Sequence, residues 1–264
     1  MKSDRAEGAE AITISVVIPV YNDAEFLRTC LRALSQQRRQ ADEIIVVDNA
    51  STDATATIAH SYGVRVVTEP LRGIWPATSA GYDAAIGDVI ARLDSDSVPP
   101  VDWLERIEAT FSRQPATAVY TGPGEFYGCG PVTAWLGDHV YIGGYFIWMG
   151  LWLGHYPLFG SNFAMRREVW ATNRGRVRRR SNDVHDDLDF SMHLGPDDTV
   201  TLDRTLRVAI SSRPFETAGG LGRRVTWAGR TLFSGWPEYS PWHIRRRAAD
   251  SRARAHRRGH EARA

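Results

Sequence analysis

Asp94 and Asp96 stand one serine apart, ahead of Val98-Pro99-Pro100. Along an extended backbone the side chains at i and i+2 point the same way, so the two carboxylates share a face. Like charges held that close raise each other's pKa unless a cation sits between them. Mg²⁺ and Mn²⁺ suit such a pair, because these hard ions take oxygen ligands and share their coordination with substrate phosphates. The plainer alternative is a turn whose acids cap a helix beginning near Val101. A second acidic group, Asp186-Asp187-Leu188-Asp189, precedes Met192 and Leu194. Leu188, Met192 and Leu194 roughly mark the inner face of a helix, which gathers the acids at its N-terminus, where anionic side chains are stabilised. Simple capping is the alternative there too. His185 and His193 flank this group and read as neighbours rather than metal ligands, since neither has a second His at i+4 and a hard ion prefers oxygen.

The elements that must position these groups follow from the hydrophobic pattern. Ile12 to Pro19 is β-branched and almost continuously apolar, as in a strand covered on both faces of a parallel sheet. Val20 to Asp23 breaks that run, Asn22 or Asp23 can cap, and Phe26, Leu27, Cys30, Leu31 and Leu34 recur at helical spacing. Further strands are predicted at Ile44 to Val47, Val64 to Val67 and Val89 to Leu93, with helices after Ser51 or Thr52 and within Gly73 to Ile86. A β-α-β-α-β-α-β order predicts an α/β fold with a Rossmann-like, mostly parallel sheet flanked by helices. Ligands of such sheets bind outside the carboxyl ends of the strands. Asn22, Asp48, Asn49, Arg72, Asp94 and Asp96 all fall at that edge. Neither G-x-G-x-x-G nor G-K-[ST] follows the first strand, so a dinucleotide fingerprint and a P-loop are both excluded as explanations.

VVIPVYND, IIVVDNASTD and GDVIARLDSDSVPP, in this order, resemble the nucleotide-binding half of a family 2 glycosyltransferase of GT-A fold. The resemblance extends over about residues 12 to 215 and implies a role for each matching position. Pro19 and Tyr21 line the base pocket, Asp48 and Asn49 face base and ribose, Asp94 approaches the ribose, and Asp96 holds the metal on the diphosphate. Asn49 stands where the family usually has a second Asp, though an amide can still pair with a pyrimidine edge. A basic residue expected near the phosphates is absent from Ala77-Thr78-Ser79-Ala80-Gly81, and Arg72 is its nearest substitute. Gly160 to Arg167 is similar to the segment that floors the donor-sugar and acceptor site, which brings in Ser161 and Asn162. His185 to Leu194 resembles the motif that carries the catalytic base. The resemblance thus makes Asp187 the base and places Asp186 beside the sugar.

The remaining stretches bear on the acceptor. His139 to Met165 contains no Asp, Glu, Lys or Arg, and Val140 to Leu153 is dense in aromatics. Fourteen apolar residues are too few to span a bilayer, which takes about 20. A buried core helix is one reading; four glycines from Gly143 to Gly154 weaken it, and the Trp and Tyr content suits a membrane interface or a slot for a lipid or sugar ring. Residues 245–264 carry eight Arg and two acids, a local +6 in a chain of net +1, so the rest is net −5. Such a tail attracts an anionic surface, while the acidic body argues against nucleic acid as the main ligand. Leu232, Phe233, Trp236, Tyr239 and Trp242 just before it suggest a peripheral anchor, with packing of these side chains onto the domain as the alternative. Gly219 to Arg230, rich in Gly and Arg, reads as a loop or lid.

Four segments are therefore expected within a single domain: a polar tail (1–11), a nucleotide-sugar-binding half (12–125), an acceptor-binding half (126–218), and a loop with an aromatic and basic extension (219–264). Cys30 and Cys129 are too few for a disulfide framework, and MKSDRAEGAEA lacks the pattern of a secretory signal. Both point to the cytoplasm, with the inner face of the plasma membrane as a place of association. The reaction expected is metal-dependent, inverting transfer of a sugar from a nucleoside diphosphate to a hydroxyl of a glycolipid or envelope glycan. The alternatives are transfer to a polyprenyl phosphate, which needs no base, a sugar-phosphate nucleotidyltransferase, and a noncatalytic nucleotide-sugar or lipid-binding module.

Overall fold

The computed structural model describes residues 11–213, 218–234, 240–244 and 246. The polar N-terminal tail and most of the basic extension lie outside the described residues. Strand β1 (Ile14–Val20) is buried along its whole length. Ile14, Val16, Ile18 and Val20 face one core cluster while Val17 faces another, so both sides of the strand must be apolar and the sequence reads as an unbroken run. On the first side packs α1 (Ala24–Ser35), whose buried residues Leu27, Cys30, Leu31 and Leu34 follow the i, i+3, i+4, i+7 spacing. On the second packs α3 (Ile74–Ala84) through Trp75, Ala77 and Tyr82.

Strands β2 (Glu43–Asp48), β3 (Arg65–Thr68) and β4 (Val89–Arg92) lie parallel to β1, with α2 (Thr55–Ser61) between β2 and β3. Helix α4 (Trp103–Arg113) then leads to β5 (Thr117–Thr121) and β6 (Gly124–Tyr127). Later come β7 (Phe163–Arg166), α7 (Arg167–Asn173), α8 (Asp186–His193), β8 (Thr199–Leu202) and β9 (Val208–Ser211). The main sheet runs β3-β2-β1-β4-β7-β5-β8, and β6 pairs with β9 in a small second sheet. Strand β7 is antiparallel to both neighbours. It inserts between β4 and β5, so the two expected halves interlock in one sheet within a single α/β domain.

Two stretches differ from expectation. Gly219 to Arg230 is not a loop but part of helix α9 (Ala218–Phe233). Leu232 and Ala228 pack there against Leu153, Leu188 and Met192, and that burial outweighs the low helix propensity of glycine. Val140 to Leu153 belongs to a continuous helical run made of α5 (Pro131–Leu136), a π-helical segment (Gly137–Ile142) and α6 (Gly143–Leu153). It is not a core helix: Ile142, Phe146 and Leu153 are buried, while Val140, Ile147, Trp148 and Leu151 are exposed.

Candidate active site

The C-terminal ends of β1, β2 and β4 open on one cleft of about 760 Å³. The chain turns sharply just beyond the first two strands. Asn22 (φ 48°) and Ala50 (φ 58°) both adopt the left-handed conformation. Asn tolerates it, but an alanine there costs roughly 1–2 kcal/mol, strain that the hydrogen bonds around it must offset. The side chain of Asn22 accepts from the Thr52 amide at 2.7 Å, tying the two turns together.

One end of the cleft is flat and aromatic. Pro19 and Tyr21 follow from β1, and the Arg72 guanidinium lies over the Tyr21 ring, 3.1 Å from its centroid. Asn49 lines this end, but its amide is engaged with the loop that carries Arg72: Nδ2 donates to the carbonyls of Glu69 and Leu71 at 2.9 and 2.7 Å, and Oδ1 accepts from the Gly73 amide at 2.8 Å. Gly73 has φ 146°, and a Cβ there would meet Asn182 and Pro76 at 3.2 and 3.1 Å, so the loop geometry needs glycine.

The centre of the cleft is built from charges. Asp94 accepts from Arg92 Nη2 at 2.9 Å and from Ser161 Oγ at 2.6 Å. Arg92 is buried in β4 and also reaches Asp186 Oδ2 at 3.2 Å; Thr78 Oγ1 donates to the same oxygen at 2.8 Å. The Nε and Nη1 of Arg92 have no hydrogen-bond partner. Burial lowers the affinity of this guanidinium for its proton, but Asp186 and Asp94 outweigh that and hold it charged. Burial in turn pushes the Asp186 carboxyl up, Arg92 pulls it down, and Asp187 adds to the rise. Asp187 is held at the start of α8, with Oδ2 accepting from the Gly160 amide at 2.8 Å and Oδ1 from the Leu188 amide at 2.7 Å. A Cβ on Gly160 would lie 2.4 Å from Arg92 Nη1 and 3.0 Å from Asp187 Oδ2, so only glycine admits this approach.

Asp96 faces the same space. Arg213 Nη2 donates to it at 2.9 Å, and the same guanidinium forms two bonds to Asp23 at 2.7 and 2.8 Å. Ser95 Oγ also donates to Asp23, at 2.6 Å. Burial and then the Asp94 charge raise the Asp96 carboxyl to about 6, against the opposing pull of Arg213. The Asp94 contribution, second to burial, is the repulsion expected of the pair. α9 closes the cleft from the side: Trp227 lies edge-on to His185 at 6.0 Å between centroids, and both line the space.

Nine expected site residues therefore meet in this cleft: Pro19, Tyr21, Asn49, Arg72, Asp94, Asp96, Ser161, Asp186 and Asp187. Three do not line it. Asp48 is buried and accepts from the Ser51 amide at 2.9 Å, and Asn22 braces the adjoining turns. Asn162 is fully buried: Oδ1 accepts from Trp103 Nε1 at 2.9 Å, and Nδ2 donates to the carbonyls of Pro123 and Leu206 at 3.1 and 2.6 Å. Its amide holds the β5–β6 connection to α4 rather than facing a sugar, a correction to the expected role. Arg92 and Arg213 were missed. The first had a signal, a lone cation inside an apolar strand.

The mixed sheet with an acidic cleft at its strand ends defines a GT-A fold. Glucosyl-3-phosphoglycerate synthase from Mycobacterium tuberculosis, solved with Mn²⁺, UDP-glucose and phosphoglyceric acid, superposes with a TM-score of 0.61 at 21% identity, covering 84% of this chain and 79% of that one. That likeness establishes the fold. Residues 15–172 match the profile described as Glycosyl transferase family 2, well over half of the 264 residues, and the chain belongs to that family. Among characterised and named relatives, it is 36% identical over 107 residues to glycosyltransferase AglE of Haloferax volcanii, covering 38% of this chain and 35% of that protein. It is 35% identical over 106 residues to undecaprenyl-phosphate 4-deoxy-4-formamido-L-arabinose transferase of Pseudomonas fluorescens, covering 36% and 31%. The match thus spans about a third of the length of each of these two relatives.

Proposed function

We propose that the chain transfers a sugar, with inversion, from a nucleoside diphosphate to a hydroxyl of a glycolipid or envelope glycan. The observation that carries this reading is the meeting of Asp94 and Asp96, just beyond β4, with Asp186 and Asp187 from α8 across one cleft, at the strand ends where such sheets bind ligands. Pro19, Tyr21 and Arg72 supply a flat surface for the base. UDP is the first nucleotide to test, because a structural neighbour was solved with UDP-glucose.

The family implies a divalent ion, and the residues fit one. Asp96 is a partly buried carboxylate whose charge is met by a single guanidinium shared with Asp23, and burial, followed by the neighbouring Asp94 charge, raises its pKa. Among the described residues no group of three or more His, Cys, Asp or Glu side chains is arranged to hold a metal. A hard ion on Asp96 would then complete its shell with water and phosphate oxygens, as Mg²⁺ and Mn²⁺ do. When bound, such an ion neutralises charge on the departing diphosphate.

The chain's own groups supply the rest. Asp187, clamped by two backbone amides, takes the proton of the acceptor hydroxyl as that oxygen bonds to the anomeric carbon and the bond from that carbon to the diphosphate breaks. The carboxylate keeps free lone pairs for this step, since each amide occupies only one position on its oxygen. Arg92 fixes Asp94 and Asp186 on either side. Incubation with UDP-sugars, Mn²⁺ and hydroxyl acceptors should give a product of inverted anomeric configuration by NMR. Retention of configuration, or nucleotidyl transfer instead, would refute the reading. A polyprenyl-phosphate acceptor is the second reading, favoured by the relative that acts on undecaprenyl phosphate, and it differs in needing no base.

A further inference from the structure

The helical run Pro131 to Leu153 carries a surface that the sugar-transfer reading does not use. A helix that is apolar on every side is normally buried in a core or in lipid. Here Ile142, Phe146 and Leu153 point into the domain, while Val132, Trp135, Val140, Ile147, Trp148 and Leu151 are exposed, Trp148 to 68%. The one carboxylate of the run, Asp138, is turned inward and accepts from the Phe126 amide at 3.0 Å. The run cannot cross a bilayer: none of the described helices is long and apolar enough, and its inner face is tied to the domain. Exposed apolar surface of this extent, rimmed by polar residues, marks an interaction site.

What covers it is indicated by charge. Trp152 of α6 packs edge-on against Phe233 at the end of α9, and Ile244 packs on the cluster formed by Leu153, Leu188, Met192 and Leu232. The chain therefore leaves Ile244 beside α6, with Trp242 77% exposed. From that point residues 245–264 bring eight Arg against two acids. Exposed Trp side chains in a chain whose sequence runs on from Ile244 into eight arginines match an anionic bilayer, where indole rings sit at the headgroup level and Arg adds attraction. We propose that the outward face of Pro131 to Leu153, with Trp242, is a docking surface for an anionic phospholipid bilayer, on which the domain lies without spanning it. Tyr141, from the same run, lines the cleft, so docking would bring a cleft wall close to the lipid surface.

The full chain should float with vesicles of phosphatidylcholine and phosphatidylglycerol, at least tenfold more strongly than with phosphatidylcholine alone, and high salt should weaken the binding. The double variant Trp148→Glu, Leu151→Glu changes two exposed side chains. It should lose vesicle binding at least tenfold while keeping its melting temperature and its affinity for UDP with Mn²⁺. Binding unchanged in this variant would show that the arginines act alone and would overturn the docking face. Absence of flotation, together with light scattering that shows a dimer abolished by the same two changes, would assign the face to a second copy of the chain instead. Because nucleotide affinity is read separately, neither result bears on the sugar-transfer reading.

Discussion

Two carboxylates that follow strands of the same sheet, Asp203 after β8 and Asp96 after β4, have opposite electrostatics. Asp203 follows β8 and accepts from Tyr120 Oη and Arg106 Nη2, both at 2.6 Å, and from the amide and hydroxyl of Thr205 at 2.8 and 2.7 Å. Burial alone would raise it, but these donors hold it well below the usual carboxylate range. Asp96 meets one guanidinium, shared with Asp23, and is pushed up to about 6 by burial and Asp94. A carboxylate surrounded by donors joins elements together. One that faces a second acid and too few donors is poised for a cation.

The largest expected effect on this contrast is catalytic. Asp187→Asn should lower kcat about 10²- to 10⁴-fold, the usual worth of a general base, with nucleotide affinity changed only a few-fold. Steady-state kinetics beside calorimetry would read both, and unchanged turnover would favour a phosphate acceptor. Next comes Arg92→Met, which strands Asp94 and Asp186 without their shared cation. Urea denaturation should report a loss of about 3–5 kcal/mol, partly recovered when Asp186→Asn is added, since fewer unpaired charges are then buried.

A smaller effect is expected at Asp203. Its pKa is depressed on folding, so its contribution is present above the unfolded value of about 4 and disappears as pH falls toward the folded one. Asp203→Asn should cost about 2 kcal/mol at pH 7, with the gap to wild type closing below pH 4. Asp96 has the opposite sign. Its folded pKa is raised to about 6, so the metal-free protein loses stability as pH climbs from about 4 to 6. Asp96→Asn should therefore raise the melting temperature in EDTA at pH 7.5, by the equivalent of about 1 kcal/mol after discounting for solvent screening, and should give no gain near pH 3.5.

Of the first four strands, β1, β2 and β4 were legible because they are buried along most of their length, which leaves apolar runs, and the edge strand β3 still shows Val66 and Val67, with Val64 just before it. Strands β6, β7 and β8 were not read as strands: each has only four residues, Gly124 opens β6, β8 is partly exposed along its length, and β7, though buried, lies inside the stretch read as the floor of the sugar site. Glycines misled in the same way at α6 and α9, where packing on the domain decides the conformation. Within the site, the acids were readable from spacing and from the family resemblance. Asn162 was misassigned because a motif position does not reveal that an amide is fully satisfied by Trp103, Pro123 and Leu206. Arg213 escaped notice because its partners, Asp23 and Asp96, lie 190 and 117 residues away in sequence.

Calorimetric titration of UDP into wild type and Asp96→Asn, with Mn²⁺ and then with EDTA, tests the central claim most directly. The expected result is binding by wild type that requires Mn²⁺ and is at least tenfold weaker in the variant. Equal affinity in EDTA, or a variant that binds UDP and Mn²⁺ as wild type does, would contradict a cation-recruiting role for the acids at the end of β4.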